Sequence, residues 1–177
     1  AQLSRGLGDV YKRQIINRSI PLYISAIAVA VGFKMGLFNI GVEGQYLMGS
    51  LIAAYIGAQF SVITPLHILF IIIVAVTTSS LWAAIAGYLK VEKGIHEVIS
   101  TIMLNYIGTG LIAYSLTTIF DEPNSNYDLP RTKELPESGK MPPLNTLFNI
   151  EGLQDIHGFL VVALFVGIFS VSYTHLR

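Results

Sequence analysis

The fold class this sequence predicts is an all-α bundle of membrane-crossing helices, and three observations predict it. Of the 177 residues, 53% are hydrophobic and only 12% are charged, about half the charged share of a soluble domain. The apolar residues gather into five long runs, three of them near the ~20 residues that a spanning helix needs. A polar, glycine-rich break over residues 36–45 separates the first run from the second.

The first run, residues 15–33, is interrupted by Asn17 and Arg18. It is followed by Gly36-Leu37-Phe38-Asn39-Ile40-Gly41-Val42-Glu43-Gly44-Gln45, which sets Asn39, Glu43 and Gln45 among glycines. Glycine weakens a continuous helix, and irregular backbone at membrane depth persists only where protein or a cavity satisfies it. Ionisable groups at that depth face a bundle interior, a water-filled cavity or a substrate path. The alternative is a short interfacial loop that carries one carboxylate.

Runs two, three and four cover residues 46–64, 65–89 and 98–120, and all three are long enough to span. Gly49, Ala53 and Gly57 recur every four residues, as do Ser79, Ala83 and Gly87. Small residues at that spacing let helix backbones approach closely, so both stripes are assigned to helix packing. In the fourth run Glu97, Thr101, Asn105 and Thr109 also recur every four residues, with Ser100 and Gly108 beside them. A polar stripe on an apolar helix points to a bundle interior or a solvated path, or to interhelical hydrogen bonding. Asn39, Glu43, Gln45, Glu97, Ser100, Thr101 and Asn105 are therefore the candidates for lining or gating a path. The fifth run, residues 158–172, is short.

Charge sets the orientation. The connection 121–157 carries three basic and seven acidic residues, a net charge of −4, and five prolines. Positive loops stay cytoplasmic, so Lys34, Lys90 and Lys93 are expected inside and the 121–157 connection outside, with Arg18 the one exception. Proline and mixed charge suit an extended, exposed connection, either a passive linker or a docking surface. Residues 1–14 and 172–177 lack the periodicity of their neighbours. They resemble translated adapter read-through at the ends of gene fragments, and are expected to be a non-native leader and tail around a transmembrane domain of residues 15–171, the alternative being ordinary polar flanks.

Several chemistries find no support in the sequence. Zero net charge gives no reason to expect nucleic acid, and the absence of cysteine removes disulfides and thiolate sites. His96-Glu97 begins like a zinc-protease helix, but Ser100 stands where the second histidine belongs. His67, His157 and His175 form no metal-ligand spacing. Gly108-Thr109-Gly110 lies inside an apolar run, not after a strand, and no phosphate-binding loop ending in Lys-Ser or Lys-Thr occurs. No metal, cofactor or enzymatic nucleophile–base set is expected.

The break at 36–45, followed by Gly94-Ile95-His96-Glu97-Val98-Ile99-Ser100-Thr101-Ile102-Met103-Leu104-Asn105-Tyr106-Ile107, resembles the permease subunits of bacterial ATP-binding-cassette importers. That family serves branched-chain amino acids, simple sugars and nucleosides, and the two motifs are most similar to its nucleoside and purine-type branch. The resemblance covers about residues 15–169. It implies a multi-pass subunit in the lipid bilayer of the bacterial plasma membrane that translocates a small polar solute, such as a nucleoside or a related sugar. It also implies three partners: a second permease subunit, a cytoplasmic ATPase and an extracytoplasmic solute-binding protein that would dock on the 121–157 connection. Family members continue past the fifth run into a cytoplasmic turn that contacts the ATPase. Here residues from 172 onward stand in its place, so the fragment is expected not to couple to ATP by itself. Read without the resemblance, the residues also fit a secondary transporter or channel that uses Glu43 or Glu97 to couple an ion or proton.

Overall fold

A computed structural model describes residues 2–120, 129–148 and 156–175, and among them the regular elements are all helical. The expected segment 121–157 therefore lies partly outside the described residues, as do residue 1 of the leader and the last two of the tail. In chain order the helices are α1 (Gln2–Lys34), α2 (Val42–Gly57), α3 (Thr64–Lys93), α4 (Glu97–Thr118), α5 (Leu144–Phe148) and α6 (Phe159–His175), with a single 3₁₀ turn at Glu137–Gly139. By length and composition three stretches could each cross a membrane: Val10–Lys34, Thr64–Lys93 and Glu97–Thr118. A shorter apolar helix covers Phe159–Ser172. Leu81 (66%), Tyr106 (75%) and Phe165 (70%) illustrate how exposed the large apolar side chains are. In water such surface would be a liability, whereas in a bilayer it meets lipid.

Two compact units make up the chain. One comprises Ala1–Met35 and Met141–Arg177. In it α1 packs on α6, where Gly167 leaves room for the Tyr23 ring. Pro21 lies within α1 and removes one amide from its hydrogen-bond ladder. The His157 amide donates to Asn17 Oδ1 at 3.0 Å, and a single antiparallel bridge joins Pro143 to His157.

The second unit, Gly36–Lys140, holds every residue expected to line or gate the path. Its core is α2, against which α3 runs antiparallel and α4 parallel: Gly57 meets Ile71, Gly44 meets Trp82 and Asn105, and Gly41 meets Thr101. A Cβ added at Gly49 would overlap Ser79 Oγ and lie 3.1 Å from the Ala75 carbonyl. The two backbones approach there because that position carries no side chain. Ala53 is buried on the same face. Gly87 differs, since a Cβ there would meet nothing within 4 Å. Between α3 and α4 the chain turns at Gly94, whose φ of 65° is left-handed. Its amide bonds the Lys90 carbonyl, the 5→1 bond of an αL cap, and the Ile95 amide bonds the Leu89 carbonyl. Beyond α4, Lys140 Nζ donates to Glu137 Oε1 at 2.7 Å and Glu134 Oε1 at 3.1 Å, and these bonds hold its pKa above the usual lysine value.

The second apolar run departs from expectation. The sequence predicts a span over residues 46–64, but α2 stops at Gly57 after 16 residues, a length of about 24 Å. The Ala58 amide still reaches the Ala54 carbonyl, while that of Gln59 bonds the Ile56 carbonyl and tightens the last turn. Residues 60–63 are non-helical, and α3 begins at Thr64 with Pro65 in its first turn. Proline suits that position, and without an amide hydrogen it could not sit inside a helix running on from α2 without losing a ladder bond.

Candidate functional site

The break opens at Gly36, whose φ of 71° is left-handed, and the backbone stays non-helical through Gly41. Glu43, Gly44 and Gln45 therefore belong to the first turn of α2. The N-cap of α2 is Gly41, which has no side chain to cap the helix. The caps come from elsewhere. Asn105 of α4 accepts from the Gly44 amide through Oδ1 at 2.9 Å and donates to the Ile40 carbonyl through Nδ2 at 3.0 Å. One amide side chain thus satisfies an orphan donor of α2 and a carbonyl of the break. Asn39 and Gln45 bond each other twice: Asn39 Nδ2 donates to Gln45 Oε1 at 3.2 Å, and Gln45 Nε2 donates to Asn39 Oδ1 at 3.0 Å. Asn39 Oδ1 also accepts from the Gly41 amide at 3.0 Å.

Glycine is required at two points of this joint. A Cβ at Gly44 would lie 2.8 Å from Asn105 Oδ1 and 3.2 Å from Asn105 Cα, and one at Gly41 would lie 3.0 Å from Thr101 Cβ. Ser79 of α3 ties in the third helix by donating to the Gln45 carbonyl at 2.8 Å.

Glu97 holds the other edge. Lys90 Nζ donates to Glu97 Oε1 at 2.9 Å across the Gly94 turn, and the Phe38 amide approaches the same oxygen at 3.5 Å. A cavity of about 200 Å³ opens here, bordered by Phe38, Asn39, Gln45, Lys90 and Glu97. Leu37, Ala83, Ala86, Gly87 and Thr101 complete a wall that is largely apolar, with amide, ammonium and carboxylate groups set into it beside an aromatic ring. Such a surface can hydrogen-bond a small polar solute and stack on its flat face.

The other expected residues behave differently. The Thr101 hydroxyl donates to the Glu97 carbonyl at 2.7 Å, Ser100 to the same carbonyl at 3.1 Å and Thr109 to the Asn105 carbonyl at 3.0 Å. All three bond back to their own helix. Thr101 and Ser100 are buried, and Thr109 is exposed. Glu43 is exposed in the first turn of α2, where a negative charge suits the helix dipole, and its side chain is outside the amide cluster.

Two members of the site escape a reading of the sequence. Lys90 carries only a topology signal there, although its place seven residues before Glu97, across a turn-forming glycine, is enough to pair the two. Trp82 lies against Gly44 and Gly108, and its Nε1 is buried without a hydrogen-bond partner among the described residues. No sequence signal singles it out.

The chain shares its sequence pattern with known proteins. The family described as branched-chain amino acid transport system, permease component, matches residues 13–175. NupP of Bacillus subtilis strain 168, a guanosine ABC transporter permease protein, is 38% identical over 116 residues, which is 65% of this chain and 33% of the relative. TsgB13 of Haloferax volcanii, a glucose ABC transporter permease protein, is 27% identical over 154 residues, covering 85% of this chain and 40% of the relative. NupB of Lactococcus lactis subsp. cremoris, a nucleoside ABC transporter permease protein, is 34% identical over 103 residues, 58% of this chain and 28% of the relative. The matches span no more than 40% of the length of these three curated relatives. No solved structure matches the chain.

Proposed function

We infer that this chain, which belongs to the family of permease components of branched-chain amino acid transport systems, forms part of the membrane pathway of an ATP-driven importer. The family match over residues 13–175 carries the reading. The names of the relatives, which specify guanosine, nucleoside and glucose, support a small polar solute of the nucleoside or simple-sugar class. ATP hydrolysis then resides on a separate cytoplasmic ATPase, a second permease subunit completes the pathway, and an extracytoplasmic binding protein delivers the solute. The setting is a bacterial plasma membrane, with Lys34, Lys90 and Lys93 inside and the 121–157 connection outside.

Within that reading the Asn39–Gln45–Asn105 joint and the Lys90–Glu97 pair border the solute path and hold the helices that gate it. Lys90 and Glu97 satisfy each other's charge at 2.9 Å, and the Glu97 side chain is largely covered, which supports a protein-facing position for Glu97. The test is uptake of radiolabelled guanosine and glucose by the intact transporter. Asn105→Leu and Glu97→Gln are expected to reach the membrane and assemble with the ATPase, yet transport poorly. Normal uptake by both, at normal abundance, would sink the assignment. Orientation is tested separately by labelling Lys93→Cys and Glu137→Cys in whole cells with a membrane-impermeant maleimide. Label on the first and not the second would invert the topology.

A further inference from the structure

His67 is the one large side chain among the described residues that is fully buried, at 0% exposure. It belongs to the first turns of α3, and its ring touches two other elements. Nε2 lies 3.0 Å from the carbonyl of Gly57, the last residue of α2, and Nδ1 lies 2.9 Å from Ser138 Oγ in the 3₁₀ turn at Glu137–Gly139. Ser138 Oγ is in turn 3.3 Å from Ser61 Oγ.

The chemistry of the groups orients this chain of bonds. A carbonyl only accepts, so Nε2 carries the hydrogen and donates to Gly57. In the neutral ring Nδ1 then has a free lone pair, and the Ser138 hydroxyl donates to it. Ser138 Oγ is left to accept from the Ser61 hydroxyl. The Gly57 carbonyl is one of the four at the end of α2 that lack an intrahelical partner, so His67 caps that helix from outside. The turn lies directly on the ring: a Cβ at Gly139 would be 3.0 Å from His67 Cε1, and one at Gly57 would be 3.0 Å from Leu135 Cδ2.

We propose that His67 is a positioning residue that joins α2, α3 and the turn Glu137–Gly139 into one body, so that the turn shifts only together with α2. The opposite end of α2 carries the joint formed by Asn39, Gln45 and Asn105. A displacement of the turn is therefore delivered along α2 to the wall of the cavity. This role in transport rests on the permease reading, whereas the one-body claim stands on the geometry.

The experiment is hydrogen exchange on the purified intact transporter, with uptake measured in parallel. His67→Phe keeps a ring but has no polar atom for either Ser138 or Gly57, and Ser138→Ala removes the bond to Ser138 from the other side. Each is expected to speed exchange at Gly139 and Lys140, and also at the remote Gly41 and Gly44 amides. For Ser138→Ala the change should be about three- to tenfold, the effect of one lost hydrogen bond, and for His67→Phe at least as large. The double variant should be no worse than His67→Phe alone, because that variant already removes the bond that Ser138→Ala removes. Ser138→Thr, which retains the hydroxyl, should restore protection and uptake. Faster exchange confined to Gly139 and Lys140, or additive effects in the double variant, would overturn the one-body claim. Faster exchange at all four amides with normal uptake would overturn the role in transport. Failure of the native transporter to carry either solute would instead count against the permease reading and leave the exchange result intact.

Discussion

The two ends of α2 solve the same problem with different materials. Neither end has a side-chain cap of its own: Gly41 precedes the helix and Ala58 follows it. At the first end Asn105, Asn39 and Gln45 supply five hydrogen bonds, and Glu97 and Lys90 border a cavity beside them. At the second end one imidazole makes the connection, and it is fully buried. The first end is a network of amides, whose groups both donate and accept, so its members can exchange partners. The second is a single chain of bonds through one ring, whose Nε2 faces a carbonyl that can only accept. In the proposed transport role, the first end would serve as the joint that rearranges and the second as the anchor that does not.

The largest expected effect tests the amide end. Asn105→Leu leaves the Gly44 amide and the Ile40 carbonyl without their partners. Gly44 is buried, and a buried donor left unsatisfied costs about 1–3 kcal/mol. Asn105→Asp keeps the acceptor for that amide and should cost less. Thermal unfolding of the purified transporter distinguishes them. Equal melting temperatures for both variants and the native protein would remove Asn105 from the joint.

A middle-sized effect compares the ends directly. Gly44→Ala places its methyl group against Asn105 Cα, a backbone atom that cannot step aside, and should destabilise by about 1–3 kcal/mol. At Gly57 the obstacles are the flexible tips of Ile71 and Leu135. Gly57→Ala should therefore cost less than about 1 kcal/mol, offset in part by the better helix propensity of alanine. The reverse order in melting experiments would mean that the second end is the more tightly packed.

Much of the first end is legible in the sequence. Asn105 and Gln45 stand out because an amide beside or within an apolar helix needs a partner, and both find one. The hydroxyls of Ser100 and Thr101 stand out for the same reason, but a hydroxyl can bond the carbonyl one turn back on its own helix, and these do. Polarity alone therefore points too broadly. Glu43 and Glu97 look alike in sequence, and what separates them is Lys90, brought beside Glu97 by the turn at Gly94. The second end is far less legible. The apolar run continues through residue 64, and the side chain that caps α2 comes from the following helix and bonds a serine 71 residues away. Contacts of that range leave no periodic trace.

The smallest effect follows from that distinction. Thr101→Val keeps the shape that packs on Gly41 and loses only the bonds to carbonyls of its own helix, so it should change stability by less than about 1 kcal/mol and leave uptake near normal. A large loss of uptake at unchanged stability would mean that Thr101, which borders the cavity, meets the solute through its hydroxyl.

The length of α2 sets a mechanical condition on all of this. Hydrocarbon in a typical bilayer is about 30 Å thick, and a helix of 16 residues covers about 24 Å of it. The shortfall of roughly 6 Å must be met by lipid that thins locally or by the irregular backbone at either end sinking into the hydrocarbon. On the proposal that α2 crosses the bilayer, membrane thickness becomes a tension applied to the asparagine at one end of the rod and the histidine at the other. Shorter acyl chains relax both ends, and longer ones pull hardest on whichever cap yields first.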